Sequence, residues 1–400
     1  MKRNGLITLL FIIALTACNI PVRQSVEILP TQPAPPPTAP PPTIIPTDTP
    51  LPTPTLEPAP TLEFTNYGPV NFPADVNPLT GLKVSNPALL ERYPLAVKVQ
   101  VFPRGQRPPW GISLADIVYD FYQNNGLTRF HAIFLGNDAA QVGPIRSARL
   151  LDGNLVNMYK SIFAFGSADS RILNRIFSNQ YANRLVLEGY SKCPPLCRVD
   201  PNGFNFLMTN TQDLSNYVPE LGLVNERQNL DGMTFASTLP AGGLPILQVI
   251  VRYSVSSYNR WDYDPVSGKY LRFQDAQESP DFATQGYEPL IDQLTGTQVT
   301  ADNVVILQAP NQLTPGSKLG KSEIVDINLS GTGPAYAFRD GQKFDLQWNR
   351  PENTSVLYLT FPDGTSYPYK PGNTWYQVIG QSSTMEIPGD GTVKYQYGLP

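Results

Sequence analysis

The densest group of polar residues in the 400-residue sequence is the segment 142–152, which contains Arg146, Arg149 and Asp152. If Pro144 occupies the first turn of a helix, where proline is favoured, these three side chains recur every three residues on one face. Arginines in the first turns of a helix oppose its macrodipole by about 0.3–1 kcal/mol each, so an anion is expected nearby. It could come from a ligand held by the free N–H groups of the helix start. Otherwise it is a carboxylate of the protein, and the candidates are Asp116, Asp120 and Asp138.

Arg129 and His131 lie two residues apart in an apolar run, so both project from one face of a predicted strand. Arg129 could therefore join Arg146 and Arg149. His131 is the only histidine, and it would have to serve any mechanism that needs a histidine base. A single histidine is more often structural. The segment 166–170 lacks the last glycine of a nucleophile elbow, which gives little support to a Ser-His-Asp hydrolase.

Two further patterns carry less information. Asp116 and Asp120 are four residues apart and could share a helix face, and two carboxylates about 5–9 Å apart suffice for glycosidase chemistry. Acidic side chains adopt this spacing often by chance. The segment 316–322 resembles a phosphate-binding loop, but it is one residue short between its glycines and no helix is predicted after it, so we reject that interpretation.

The first 18 residues have the pattern of a lipoprotein signal peptide. Lys2 and Arg3 precede an apolar stretch at 6–14, which is too short to cross a membrane that needs about 20 residues. Leu15-Thr16-Ala17-Cys18 then places two small residues before a cysteine, the pattern that lipoprotein-processing enzymes recognise. The alternative is an ordinary signal peptide that ends near a cysteine. We expect Cys18 to carry a lipid that anchors the protein to the cell membrane on its extracytoplasmic face.

A Pro/Thr-rich tether is predicted at 19–75. Fifteen of the 40 residues at 21–60 are proline, a composition that cannot bury a core and favours an extended polyproline II spacer. The formal net charge is -4 and the sequence has no basic stripe, which argues against a nucleic-acid partner.

The remaining cysteines, Cys193 and Cys197, are separated by three residues. Outside the cytoplasm, two nearby thiols predict a disulfide. Because the spacing is one residue longer than a CxxC redox motif, a structural staple is favoured over a redox pair. With one histidine in the chain a zinc site is improbable, and no metal or other cofactor is predicted.

Hydrophobic patterning predicts an α+β protein, with a mixed α/β domain at 77–235 followed by a mainly antiparallel β domain at 245–380. In the first domain, strands are predicted at 94–101, 129–135 and 162–165. Helices are predicted at 113–122, capped by Ser113, at 144–160, at 168–177 and from Thr211. In the second domain, short β-rich runs are separated by turns of Asp, Pro and Gly. These turns lie at 264–268, 340–341, 363–364 and 390–391.

Several motifs resemble the YerB-like lipoprotein family. They include Asn77-Pro78-Leu79-Thr80-Gly81-Leu82 and, as the most specific piece, residues 142–149. The other matching pieces are residues 111–120, 126–130, 270–273, 300–305, 329–333 and 371–375. The resemblance covers almost all of 77–380 in two consecutive blocks, and the chain departs from the family pattern around 166–199. It implies a lipobox and two domains of uncharacterised function, without an established reaction.

These observations lead to three hypotheses. The first is an envelope-associated binding or accessory protein, whose cleft of Arg129, Arg146 and Arg149, organised by Asp116 and Asp152, recognises an anionic ligand. Cell-wall glycopeptide or an anionic envelope polymer are the natural ligands at that location. The second is a hydrolase of an envelope polymer that uses paired carboxylates. The third is a structural module in which the β domain docks a protein partner. Whether the protein is an enzyme stays open.

Overall fold

The computed structural model describes residues 66–189, 192–199 and 206–399. The predicted signal peptide, the predicted lipidation site Cys18 and the predicted tether as far as residue 65 lie outside these ranges. No helix within them has the length and apolar character needed to cross a membrane.

Three α-helices lie in the first part of the described chain: α1 at Leu150–Tyr159, α2 at Ser170–Phe177 and α3 at Thr211–Asn216. At the start of each helix, a nearby side chain accepts a hydrogen bond from a backbone N–H group. Asp152 accepts from Arg149 N at α1, Asp169 from Arg171 N at α2, and Asn210 from Asp213 N at α3.

Strands make up most of the remaining structure. Up to residue 236 they are β1 (Asn66–Tyr67), β2 (Leu95–Val99), β3 (Ile117–Asn124), β4 (Leu127–Phe134), β5 (Ile162–Phe165), β6 (Leu185–Leu187), β7 (Cys197–Arg198), β8 (Leu207–Met208) and β9 (Thr234–Ala236). They continue as β10 (Leu244–Pro245), β11 (Gln248–Arg252), β12 (Tyr258–Asp264), β13 (Lys269–Asp275), β14 (Tyr287–Pro289), β15 (Thr300–Ala301), β16 (Asn303–Ala309) and β17 (Asn311–Leu313). The last are β18 (Val325–Ile327), β19 (Gly331–Arg339), β20 (Gln342–Arg350), β21 (Tyr358–Thr360), β22 (Pro368–Tyr369), β23 (Thr374–Gly380), β24 (Thr384–Glu386) and β25 (Thr392–Gln396).

The fold is α+β, as predicted, and most of its regular structure is strand. Among the described residues, an 11-stranded sheet has the order β10-β20-β19-β16-β23-β3-β4-β2-β5-β6, with β21 beside β20. A seven-stranded sheet has the order β14-β13-β12-β11-β25-β24, with β15 beside β13. Most ladders after residue 245 are antiparallel, and the turns at 264–268 and 340–341 close the hairpins β12–β13 and β19–β20. Cys193 and Cys197 form the predicted disulfide.

The boundaries 77–235 and 245–380 stay a prediction. β23 from the second predicted domain pairs in parallel with β3 from the first, so one sheet runs through both. The seven-stranded sheet also extends beyond residue 380, because β25 pairs in parallel with β11.

The helix predicted at 113–122 is wrong. Its residues form a short 3-10 turn at Ile112–Leu114 and then β3. β3 lies between β23 and β4, and seven of its eight residues are buried. A strand covered on both faces has no polar–apolar alternation, so its continuous apolar run can be mistaken for a buried helix. The missed signal is Asn125-Gly126, both at positive φ, which closes the β3–β4 hairpin.

The helix predicted from Pro144 is wrong at its start, because α1 begins only at Leu150. The preceding backbone is extended and bonds to β2: Arg146 N donates to Lys98 O at 3.0 Å, and Gln100 N donates to Pro144 O at 3.0 Å. Arg146 and Arg149 therefore do not share a helical face with Asp152. The predicted helix at 168–177 is confirmed as α2, and the strand at 162–165 is confirmed as β5.

Candidate functional site

Three titratable side chains meet beneath the start of α1. Lys98 on β2 and His131 on β4 are cross-strand neighbours, so both project from the same face of the large sheet. Asp152, in the first turn of α1, covers them: its Oδ1 accepts from Lys98 Nζ at 3.0 Å and lies 2.9 Å from His131 Nδ1. All three side chains are fully buried. We call Lys98, His131 and Asp152 the buried triad.

Burial is the largest single influence on the pKa of each triad member. It lowers the pKa of Lys98 to about 7, although the Asp152 carboxylate acts in the opposite direction. It also lowers the pKa of His131 below its ordinary value, again against Asp152. Burial pushes the pKa of Asp152 upward, but Lys98 and His131 outweigh it and hold that pKa below its usual range. A lysine with a pKa near neutrality can take up or release a proton at ordinary pH.

Aromatic rings enclose the triad. The Lys98 ammonium lies 3.8 Å from the centre of the Phe121 ring, and the His131 ring stacks on Phe163 at 4.7 Å. His131 Nε2 is buried and has no hydrogen-bond partner among the described residues.

Three arginines near the triad, Arg129, Arg146 and Arg149, are half-buried. We call them the arginine group. Arg129 donates to Ser147 O at 3.0 Å, and Arg146 Nε donates to the Gln100 side chain at 2.6 Å. Arg149 donates to Ala148 O at 2.8 Å and to Asn124 Oδ1 at 2.7 Å. The arginine group thus lies where β4 begins, β3 ends and α1 begins.

The arginines are close enough to repel one another. Burial, then Arg149 and Arg146, lower the pKa of Arg129 from 12.5 to about 9, which still leaves it charged at neutral pH. The pKa of Arg149 is lowered by burial, with Asp152 and Asp169 opposing. The pKa of Arg146 is lowered by burial and by Arg198, with Glu188 opposing.

The carboxylates considered as internal partners bind elsewhere. Asp120 pairs with Arg272 at 2.8 Å, and Asp138 pairs with Arg92 at 2.8 Å. Asp116 accepts from Leu135 N at 2.5 Å, Gly136 N at 2.9 Å and Asn77 Nδ2 at 3.0 Å. Within the described ranges, neither Arg129 nor Arg149 has a carboxylate oxygen within 4.0 Å of its guanidinium.

The structure does not bring Asp116 to the arginine group. Asp116 binds Leu135, which follows the last residue of β4, whereas Arg129 lies near the beginning of that strand. Six residues of strand separate the two points by about 20 Å. Burial raises the pKa of Asp116 to about 6, against the N–H groups of Gly136 and Leu135. Asp116 therefore ties the far end of β4 to Asn77, and among the predicted site residues only Asp152 and the three arginines meet.

Sequence reasoning missed Lys98 as a member of the site. Its signal was a lysine inside the apolar strand Ala96-Val97-Lys98-Val99, because lysine is almost never fully buried without a partner. Asp152 is that partner. The described part of the chain contains no group of three or more His, Cys, Asp or Glu side chains that could hold a metal ion.

Comparisons with known proteins agree on a single family. The sequence model described as "Protein of unknown function (DUF3048) N-terminal domain" matches residues 79–223, and the corresponding C-terminal domain model matches residues 249–376. The Bacillus subtilis (strain 168) protein named "Putative lipoprotein YerB" is 26% identical over 322 residues, which are 78% of this chain and 88% of YerB. The crystal structure of YerB superposes with a TM-score of 0.62 at 25% identity and covers 76% of this chain and 96% of that chain.

Proposed function

Since the chain belongs to the DUF3048 family of two-domain proteins of unknown function, we propose its role from its own geometry: an envelope lipoprotein that binds an anionic ligand through the arginine group. The lipoprotein name of YerB supports an extracytoplasmic, membrane-anchored location, as does the predicted lipidation of Cys18. Cell-wall glycopeptide or an anionic envelope polymer, the ligands that such a location offers, carry the carboxylate or phosphate groups that arginine recognises.

The observation that carries the proposal is the set of partners of Arg129 and Arg149. Both guanidinium groups are half-buried, yet in the described part of the chain they donate only to neutral oxygens: Ser147 O, Ala148 O and Asn124 Oδ1. Bringing like charges together in a partly desolvated place is unfavourable unless an anion compensates them. These neutral hydrogen bonds also fix the direction of each guanidinium.

The buried triad contributes to the electrostatic potential at the arginine group. The negative charge of Asp152 offsets part of the positive charge of the arginines. When Lys98 is protonated, its positive charge offsets that of Asp152 in turn. The local balance therefore stays positive at the beginning of α1, where the helix dipole also favours negative charge. Hydrogen bonds between charged groups contribute about 1.5–3 kcal/mol each, so two arginines can supply measurable affinity for one phosphate or carboxylate.

Sedimentation of the full chain with cell-wall sacculi that retain their phosphate-rich polymers tests the proposal. Arg129→Gln and Arg149→Gln keep a donor for the neutral oxygens but remove the charge, and each should weaken binding about tenfold, which corresponds to a loss of about 1.4 kcal/mol. Binding should also fall as salt is added. The matched control is Arg227→Gln, because Arg227 is paired with Glu91 at 3.1 Å away from the arginine group.

The outcomes separate the hypotheses. Wild-type binding by both Arg129→Gln and Arg149→Gln would exclude the arginine group as the ligand site. Release of soluble fragments from the sacculi would support the hydrolase alternative. Neither fragments nor sedimentation would favour the third hypothesis, a module that docks a protein partner.

A further inference from the structure

A cleft of about 450 Å³ lies between α1, α2 and the hairpin β17–β18. Asn154 and Arg175 reach it from the two helices, and Asn311, Gln312, Asp326 and Asn328 reach it from the hairpin and the residue after it. No member of the arginine group lines it. Its volume falls within the range of roughly 300–1,000 Å³ that small-molecule sites occupy.

Neutral carboxamides dominate the polar lining of this cleft. In the part of the chain that the structure describes, the side chains of Asn154 and Gln312 form no hydrogen bond. Among the described residues, Asn311 forms side-chain hydrogen bonds only through its Nδ2, which donates to Tyr397 OH at 2.7 Å and to Gly398 O at 3.2 Å. Within the same ranges, the Asn328 side chain forms a hydrogen bond only through its Oδ1, which accepts from Ser330 N at 2.9 Å. Each carboxamide can both donate and accept, so the cleft presents several donors and acceptors together.

The two charged side chains in the lining neutralise each other. Arg175 donates to Asp326 Oδ2 at 2.7 Å. An isolated anion would have to compete with Asp326 for Arg175, and a cation would have to compete with Arg175 for Asp326. The chemistry of the cleft therefore favours an uncharged ligand that carries many hydroxyl or amide groups, rather than a phosphate or a metal ion.

Three of the four carboxamides lie on helices or strands. Gln312 lies opposite Asp326 in the β17–β18 ladder, and Asn154 lies in the middle of α1. Asn311 is anchored to Tyr397, whose ring stacks on Tyr122 at 4.9 Å. The Asn311 side chain is thus fixed before binding, and a fixed group loses little conformational entropy when a ligand arrives.

We propose that this cleft is a carbohydrate-binding site that takes an uncharged saccharide through its hydroxyl and acetamido groups. Pro310 and Ile327 supply apolar lining for the C–H face of a sugar ring. The proposal does not depend on the arginine group, because the residues and the ligand chemistry of the two sites differ.

Calorimetric titration of the purified full chain with a linear tetramer of N-acetylglucosamine, and separately with a linear tetramer of glucose, tests the site. We expect at least one tetramer to bind with a dissociation constant of about 1 mM or lower. Asn154→Ala and Gln312→Ala should each weaken binding about fivefold, because each removes one or two hydrogen bonds. Gln312 is exposed, so its replacement leaves the fold intact even if Asn154→Ala perturbs α1.

Two controls locate the effect. Gln293→Ala removes an exposed carboxamide outside the cleft and should leave binding unchanged. Arg149→Gln should also leave saccharide binding unchanged, which distinguishes this site from the proposed anion site. The proposal is overturned if neither tetramer binds up to about 10 mM, or if Gln312→Ala binds as the wild type does while Arg149→Gln does not bind.

Discussion

Replacing Lys98 by methionine tests the electrostatics of the buried triad most directly. Methionine matches the lysine side chain as far as Cε, with sulfur in place of Cδ, and lacks the ammonium. That ammonium is fully buried, 3.0 Å from Asp152 and 3.8 Å from the centre of the Phe121 ring. Burial lowers its pKa from 10.5 to about 7, with Asp152 opposing.

The sign of the pH effect follows from proton counting. Between pH 7 and pH 10 the unfolded chain keeps Lys98 protonated, whereas the folded chain has largely lost that proton. Stability rises with pH wherever the unfolded state binds more protons, by up to about 1.4 kcal/mol per pH unit for one group. The contribution of Lys98 is thus complete above pH 10.5 and is lost as the pH falls to about 7. The Lys98→Met variant lacks this pH-dependent contribution to stability.

The free energy of unfolding of the wild type, minus that of Lys98→Met, should therefore grow by roughly 2–3 kcal/mol from pH 7 to pH 9. Urea unfolding at pH 7, 8 and 9 and constant ionic strength measures it, and the buried Trp261, Trp348 and Trp375 provide the fluorescence signal. Lys83→Met is the control, because that side chain is 61% exposed and its removal should give a constant difference. A difference for Lys98→Met that stays constant or shrinks would refute the reasoning, since Lys98 would then remain charged in the folded state.

Three further predictions concern stability, and urea unfolding measures each. Arg272→Met should cost about 3–5 kcal/mol because it leaves Asp120 buried without its counter-ion; a loss below about 1 kcal/mol would contradict this. The folded pKa of Asp116 is raised to about 6, so its contribution is present at low pH and is lost as the pH rises through that value. The stability of wild type relative to Asp116→Asn should accordingly fall by up to about 3 kcal/mol between pH 4 and pH 7, and an increase would contradict the sign. Cys197→Ser should cost at most about 2 kcal/mol, because the disulfide with Cys193 closes only a short loop, and a larger loss would show that the loop supports the core.

The sequence predicts elements well where local chemistry and tertiary packing agree. The strand at 162–165 and the helix at 168–177 are found at β5 and α2, since each has a clear apolar pattern and α2 has an Asp cap. Hydrophobic patterns fail to predict the secondary structure in the middle of the large sheet. The sequence of β3 resembles an apolar helix because the strand is covered on both faces, and its pairing with β23 joins residues more than 250 positions apart. Such long-range pairing has no local signal.

The predicted set of site residues differs from the observed cluster, because it included Asp116, which lies away from the arginines, and omitted Lys98. Arg129, Arg146, Arg149 and Asp152 meet, although the helix that was expected to align them begins at Leu150. Backbone pairing of residues 144–146 with β2 positions Arg146, whereas Arg129 lies on β4 and Arg149 directly precedes α1. The spacing of Asp116 and Asp120 suggested a shared helix face, but each is used on its own to satisfy buried donors.

The second predicted domain is part of the scaffold that positions the arginine group. Arg129 and His131 lie on β4, β4 pairs with β3, and β3 is held on its other side by β23. Trp375 on β23 contacts the Phe130 ring at 5.0 Å and the Trp261 ring at 5.2 Å, which connects β4 to the seven-stranded sheet. Without β23, β3 would present an open edge of unpaired backbone groups, a state that proteins avoid. This dependence gives a physical reason for the two family domains to follow one another in a single chain: the sheet that presents the arginines is complete only when both are present.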